Sequence, residues 1–210
     1  MFEVIPGILE KDWSKIERKI EQVLPFAKSV HIDIIDGVFA PNTTFLDPGP
    51  FKKYSSKVFL ELHMMVDEPI QYLDPFFRAG FRSFIGHVER MSDQAEFIAK
   101  GQLLGEVGLA LDGKTPLENI RVDLADLDNL LVMSIDAGFS HQEFVDEYAK
   151  KILSVKDKTW IPIEIDGGIN DKTILEAKSF GAQRFVSNSF IFASDNPRRQ
   201  YDLLLDLFKE

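Results

Sequence analysis

Apolar residues along this chain fall into short runs rich in β-branched side chains, separated by stretches with helical spacing. The runs are Glu3 to Leu9 (EVIPGIL), Ser29 to Asp36, Val58 to Val66 (VFLELHMMV), Ser83 to Glu89, Glu106 to Asp112 (EVGLALD), Asn129 to Ile135 (NLLVMSI), Trp160 to Gly168 (WIPIEIDGG) and Phe185 to Phe192 (FVSNSFIF). Each reads as a strand, the last together with its loop, and Pro6-Gly7 predicts an irregular or kinked first one. Between them, Asp12 is placed to cap a helix whose stripe is Ile16, Ile20 and Val23-Leu24. Glu68-Pro69 opens a helix through Phe77 that closes at Gly80. Further helical pieces are expected over Ser92 to Leu104, from Pro116, and over Glu143 to Val155. Asn170 or Asp171 caps a helix carrying Ile174, Leu175 and Ala177 that stops at Gly181, and a closing helix from about Asp195 carries Tyr201, Leu204-Leu205 and Phe208. Eight apolar strand candidates alternating with helical stretches predict an α/β fold, one (β/α)8 barrel over residues 1–210. The main rival is an open doubly wound sheet, and no G-x-G-x-x-G follows a strand to support its dinucleotide-binding version.

In such a barrel the active site lies at the C-terminal ends of the strands, so polar residues late in apolar runs are the candidates. The stretch Val30 to Asn42, VHIDIIDGVFAPN, supplies the first two. Residues i and i+2 of a strand share a face, so His31 and Asp33 project together while Ile32 and Ile34 pack, and Asp36-Gly37 breaks the run. His63 and Asp166 sit near the ends of the third and seventh runs. Two imidazoles and two carboxylates from three strands make an N/O cage suited to a divalent metal. His87, Glu89 and Asp136 belong to the set more loosely. Taken singly, each residue has a plainer reading: a strand His as a hydrogen-bonded core residue, Asp36-Gly37 and Asp166-Gly167 as turns. Their common position at strand ends joins them. Gly167-Gly168 after the seventh strand and Ser187-Asn188-Ser189 after the eighth occupy the loops from which barrels of this kind build phosphate sites.

Composition narrows the chemistry. The chain has no Cys, so disulfides and thiolate ligands are excluded and any metal falls to His and carboxylates. The net charge of −10 argues against a nucleic-acid face and against an anionic membrane surface, but not against a phosphorylated small substrate held by backbone N–H groups. No apolar run is long enough to span a bilayer, and the N-terminal stretch does not resemble a signal peptide, so a cytoplasmic protein is expected.

Taken together, H-I-D-I-I-D-G-V-F-A-P-N, L-E-L-H-M-M-V-x-E-P, V-M-S-I-D-A-G-F and I-E-I-D-G-G-I-N resemble the ribulose-phosphate 3-epimerase family, in the same order and from PGIL near the start to NSFIF near the end. The resemblance implies a (β/α)8 barrel that interconverts D-ribulose 5-phosphate and D-xylulose 5-phosphate with one divalent metal ion, for which Zn, Fe, Mn and Co all suit the ligands. It makes His31, Asp33, His63 and Asp166 the ligands, with Asp33 and Asp166 also the proton-transfer pair. It puts Met65 and Met133 near the substrate, where they read equally well as core filler. It also implies a homo-oligomer, since dimers and hexamers occur in the family.

The chain departs from the family pattern at several places. Ile35 stands where a Met is usual. Glu10 replaces the second Ser of P-S-I-L-S, Ala137-Gly138-Phe139-Ser140-His141-Gln142 replaces P-G-F-G-G-Q, and Asn188-Ser189 replaces G-S. The last three changes fall on the substrate side, where Glu10, Met65, Met133, Gly138, Ser140, His141, Gln142, Gly167, Gly168, Asn188 and Ser189 are the expected contacts. They leave open a different ketose or ketose phosphate as substrate, and beside it a barrel that binds a sugar phosphate without catalysis. Decarboxylase and aldolase-like barrels use an Asp-x-Lys-x-x-Asp strand, and Asp33-Ile34-Ile35-Asp36 has no Lys.

Overall fold

The computed structural model describes residues 2–209; Met1 and Glu210, the ends of the single-domain expectation, lie outside the described residues. Eight strands form, β1 (Glu3–Ile8), β2 (Ser29–Ile35), β3 (Phe59–Met65), β4 (Ser83–His87), β5 (Glu106–Leu111), β6 (Asn129–Met133), β7 (Ile163–Asp166) and β8 (Arg184–Ser187). Each pairs in parallel with the next, and β8 returns to β1, so the sheet closes into the expected barrel. Closure satisfies every edge and rules out the open-sheet alternative.

Side-chain alternation sorts each strand into two environments. Val30, Ile32 and Ile34 of β2 join the outer core with Ile16, Ile20 and Val23 of α1 (Trp13–Val23). Ile85, Ala110, Leu131, Met133 and Ile135 form a separate cluster inside the barrel, and Ile35, Ala40 and Met65 a third at its mouth. His31, Asp33 and His63 lie on the inward face of their strands, so the polar residues of interest are enclosed by the barrel wall rather than by solvent.

The helix boundaries follow local chemistry. Pro69 precedes α2 (Ile70–Ala79), which closes at Gly80 with φ 105°, a left-handed turn open to Gly. Asp93 caps α3 (Gln94–Gln102) by accepting from Glu96 N at 2.9 Å. Of the two expected caps for α5 (Thr173–Phe180), Asn170 performs the role, its Oδ1 accepting from Lys172 N and Thr173 N. Asn196 caps α7 (Pro197–Asp206). Asp12 does occupy the N-cap position of α1, but its side chain makes no capping bond.

Other expectations are corrected by tertiary contacts. β1 runs unbroken through Pro6-Gly7, because Gly7 leaves room for Val186: a Cβ there would lie 2.7 Å from Val186 Cγ1. The piece from Pro116 forms only two 3₁₀ turns, Leu117–Asn119 and Leu124–Asp126. The Gln94 amide binds both Asn119 O and Arg121 N and pins the backbone between them. The helix expected over Glu143 to Val155 shortens to α4 (Asp146–Ala149) and a 3₁₀ segment, Lys150–Ser154. There the Lys151 ammonium turns back to the carbonyls of Asp112, Gly113 and Thr115. The seventh strand starts at Ile163 rather than Trp160, whose side chain is fully exposed. The sequence SFIF after β8 is a helical turn, α6 (Ser189–Phe192). Among the described residues no helix is long and apolar enough to cross a membrane.

Candidate active site

β2 and β3 run in register with Asp33 opposite His63, and β6 and β7 with Met133 opposite Asp166. These pairings bring His31, Asp33, His63 and Asp166 together at the C-terminal end of the barrel interior, with one ligand atom of each within 4.8 Å of all the others. Asp33 Oδ1 lies 3.3 Å from His31 Nε2 and 2.9 Å from His63 Nδ1, and Asp166 Oδ2 lies 3.7 Å from His63 Nδ1. The edge of a tetrahedral site with bonds of about 2.0–2.2 Å is roughly 3.4 Å, so these separations match a four-ligand cage.

The hydrogen bonds around the cage leave a lone pair of His63 facing inward. Glu89, as a carboxylate, only accepts, so His87 Nδ1 donates to its Oε2 at 2.9 Å. His87 Nε2, 2.9 Å from His63 Nε2, then accepts from His63, and the network assigns a bare lone pair to His63 Nδ1 facing Asp33. Burial holds the His63 imidazole down at about 4 despite the pull of Asp33, so a proton does not readily fill that gap. His31 Nε2 is buried without any hydrogen-bond partner. A divalent cation answers both demands, and the residues present fit one.

Beneath the cage lies a layer of charge that sequence reasoning missed. Burial acts to lower the His31 pKa, but Asp33, Glu164 and Glu61 outweigh it and raise it well above the usual range. Without metal, His31 therefore carries the positive charge among these carboxylates, and metal uptake is expected to release its proton. Its Nδ1 contacts Glu61 Oε1 at 2.8 Å and Glu164 Oε1 at 3.3 Å. Arg184 pairs with Glu164 at 2.6 Å, with Glu61, and with Glu3 at 3.0 Å. His31, Glu61 and Glu164 also converge closely enough to suggest a second cation site. Arg184 and His31 together already contact those two glutamates, whereas Asp33 and Asp166 of the upper cluster face the cavity, so the upper cluster is the one placed to take a metal. The available signal was local: Glu61 and Glu164 each lie two residues before a ligand, on the same strand face. Arg184→Met should strip Glu61 and Glu164 of their guanidinium, leaving His31 as their remaining cation, and destabilise the protein by about 3–5 kcal/mol, read from urea unfolding. A loss below about 1 kcal/mol would show that the pairs hold little of the barrel together.

The two aspartates are driven apart. Burial pushes both upward, but His31 and His63 hold Asp33 down at about 2. Asp166 keeps an edge on the cavity with 15 % of its side chain exposed, yet burial and the Asp33 charge push it up to about 8. At neutral pH, in the absence of metal, Asp33 is ionised and Asp166 is mostly protonated.

The cavity above the cage is walled by Leu9, Met65, Met133, Ile135 and Val186, and by three loops. Gly138, Ser140, His141 and Gln142 cover it after β6, Gly167 and Gly168 flank it after β7, and Asn188 and Ser189 after β8. Asn42 Nδ2 donates to Gly138 O at 2.8 Å and ties the β2 loop to the covering loop. Gly167 and Gly168 have φ 112° and 64°, and a Cβ on Gly168 would meet the Phe144 backbone N at 2.7 Å, so both positions demand glycine. Glu10 is not on this wall; it pairs with Lys19 at 2.9 Å. Asp136 is half-exposed and bonded to Lys114 and Tyr148, apart from the cage. Asp36 spends its carboxylate on Val38 N, Phe39 N and Asp67 N, which is turn chemistry.

Fold and site together define a (β/α)8-barrel enzyme with a carboxylate–imidazole centre at the C-terminal face. The model of the ribulose-phosphate 3-epimerase family matches residues 3–192, and the chain belongs to that family, an isomerase-class enzyme. It is 31% identical to the ribulose-phosphate 3-epimerase of Schizosaccharomyces pombe, over 93% of this chain and 89% of that one. It is also 31% identical to the ribulose-phosphate 3-epimerase of Mycobacterium bovis, over 92% of this chain and 87% of that one. Among solved structures, the 3-keto-L-gulonate-6-phosphate decarboxylase of Vibrio cholerae superposes with a TM-score of 0.73 over 99% of this chain and 97% of that chain. At 12% identity that likeness concerns the fold alone.

Proposed function

We propose that this enzyme inverts C3 of a ketose phosphate, interconverting D-ribulose 5-phosphate and D-xylulose 5-phosphate, with His31, Asp33, His63 and Asp166 holding one divalent cation (Zn, Fe, Mn or Co) and the two aspartates moving the proton. The observation that carries this reading is the convergence of two carboxylates and two imidazoles beneath one covered cavity.

Inverting a carbon beside a ketone requires removing its proton from one face and returning one to the other. Asp33 stands on β2 and Asp166 on β7, strands that are not neighbours in the ring, and transfer on two faces calls for two separate groups of this kind. Asp33, held ionised, takes the C3 proton in one direction while Asp166 returns one on the opposite face; in the reverse direction the roles exchange. A bound cation supplies the Lewis acid that polarises the ketone and offsets the negative charge building on its oxygen. Met65, Met133 and Ile135 exclude water from the reacting carbon, which protects the carbanionic intermediate from stray protonation. Gly167, Gly168, Asn188 and Ser189 line the side of the cavity suited to the phosphate.

A different ketose phosphate is the second reading, favoured by Ser140 and His141 on the cavity wall. The test is solvent exchange: purified protein with added metal, incubated in D₂O with D-ribulose 5-phosphate, should exchange the C3 proton and form D-xylulose 5-phosphate, followed by NMR. Exchange on another ketose phosphate only would move the substrate assignment. Absence of exchange on any of them would leave the catalytic proposal without support.

A further inference from the structure

Lys19 lies on α1, outside the cavity wall, yet its ammonium is drawn toward the rim. Its side chain is only 18 % exposed, and Nζ lies 2.9 Å from Glu10 Oε1, 3.3 Å from Asn188 Oδ1 and 4.8 Å from the Phe192 ring centroid. Three partners hold one cation in place before any ligand arrives. An ammonium can only donate, so the contact with Asn188 orients the amide: its oxygen turns to Lys19 and its NH₂ occupies the other branch. Asn188 lies on the cavity wall beside Gly167, Gly168 and Ser189. Among the described residues its Nδ2 donates to nothing, whereas its oxygen is engaged.

We propose that Lys19 and Asn188 form a side-chain subsite for the phosphate of the substrate, with Asn188 Nδ2 as the donor and Lys19 as the group that orients it and supplies positive charge. The inference rests on the phosphorylated substrate of the preceding section and names residues of this chain that recognise it. A carboxylate-rich cavity in a chain of net charge −10 repels a dianion, so a fixed cation at the rim matters more here than on a neutral protein. Glu10 is then the counter-ion that preorganises Lys19, which accounts for a carboxylate near the mouth that never reaches the cavity. Its partial neutralisation by Lys15, 3.9 Å away, leaves Lys19 with charge to spare.

The test compares Lys19→Met, Lys19→Arg and Asn188→Asp with the unaltered enzyme, using KM for D-ribulose 5-phosphate and the inhibition constant of inorganic phosphate. Asn188→Asp keeps the shape and the bond to Lys19 but replaces the donor by a like charge. Losing a charge-assisted contact predicts a rise of about 10-fold in both constants for Lys19→Met and about 100-fold for Asn188→Asp, with Lys19→Arg restoring most of the loss. The preference for D-ribulose 5-phosphate over unphosphorylated D-ribulose should fall by the same factors. Circular dichroism and thermal melting check that the variants fold. Unchanged phosphate inhibition in folded Lys19→Met and Asn188→Asp overturns the subsite, as does an equal loss on phosphorylated and unphosphorylated ketose, which marks a packing effect. If the unaltered enzyme neither prefers the phosphorylated ketose nor is inhibited by phosphate, the substrate reading fails, and the subsite with it.

Discussion

Asp166→Asn is expected to lower kcat for C3 epimerisation on the order of 10³-fold, with the fold intact and part of the bound metal retained. Asn matches the shape of Asp166 and keeps an oxygen near His63, but neither accepts nor returns a proton at useful affinity. In the metal-free protein, burial and the neighbouring Asp33 push Asp166 up to about 8. That shift has a consequence for stability. A carboxyl whose folded pKa lies above its unfolded value favours the fold below the unfolded value, near 4, and loses that contribution as pH rises toward 8. Metal-free enzyme should therefore lose stability over that window, and Asp166→Asn should flatten the loss, since the amide has no charge to bury. Denaturant unfolding at pH 5 and pH 8, with and without chelator, reads this directly. Full turnover in Asp166→Asn would exclude Asp166 from proton transfer.

His31→Ala should remove metal and activity together. One ring joins two layers, with Nε2 in the cage and Nδ1 against Glu61 and Glu164. Without it, the cage loses a ligand and the glutamates lose a cation, so some destabilisation accompanies the loss of binding. A chelator supplies the reversible counterpart in the unaltered enzyme. Activity should fall to background on metal removal and return on adding one of the four candidate ions, with elemental analysis giving the stoichiometry. His31→Ala protein that is folded and fully active would remove the cage from the mechanism, and chelation without effect would do the same.

Two kinds of information separate when the sequence is compared with the fold. Whatever depends on a residue's near neighbours in the chain was legible beforehand. Alternation along HIDII places His31 and Asp33 on one face and Ile32 and Ile34 on the other, and both faces are as expected. Gly80 and Gly181 end helices because their positive-φ backbone needs no partner from elsewhere in the fold. The order of strands and helices, and hence the barrel, follows from the same local periodicities. Even Glu61 and Glu164 were readable in principle, as charges on the face already occupied by His63 and Asp166.

The remainder was settled by contacts between distant segments. Lys151 bound to three carbonyls across the β5 loop, and Gln94 clamped on Asn119 and Arg121, decide that two expected helices are mostly 3₁₀ turns. Glu10 pairs with Lys19 and Asp136 with Lys114, although each lies near the C-terminal end of a strand as the cage residues do. Arg184 reaches three glutamates from other strands, a meeting that barrel closure alone creates. The amino-acid order by itself determined the repeating units and the face each side chain takes, because backbone periodicity is a short-range property. Which charge meets which was decided only by the closed barrel, since opposite charges pair through space and the chain carries no local record of that pairing.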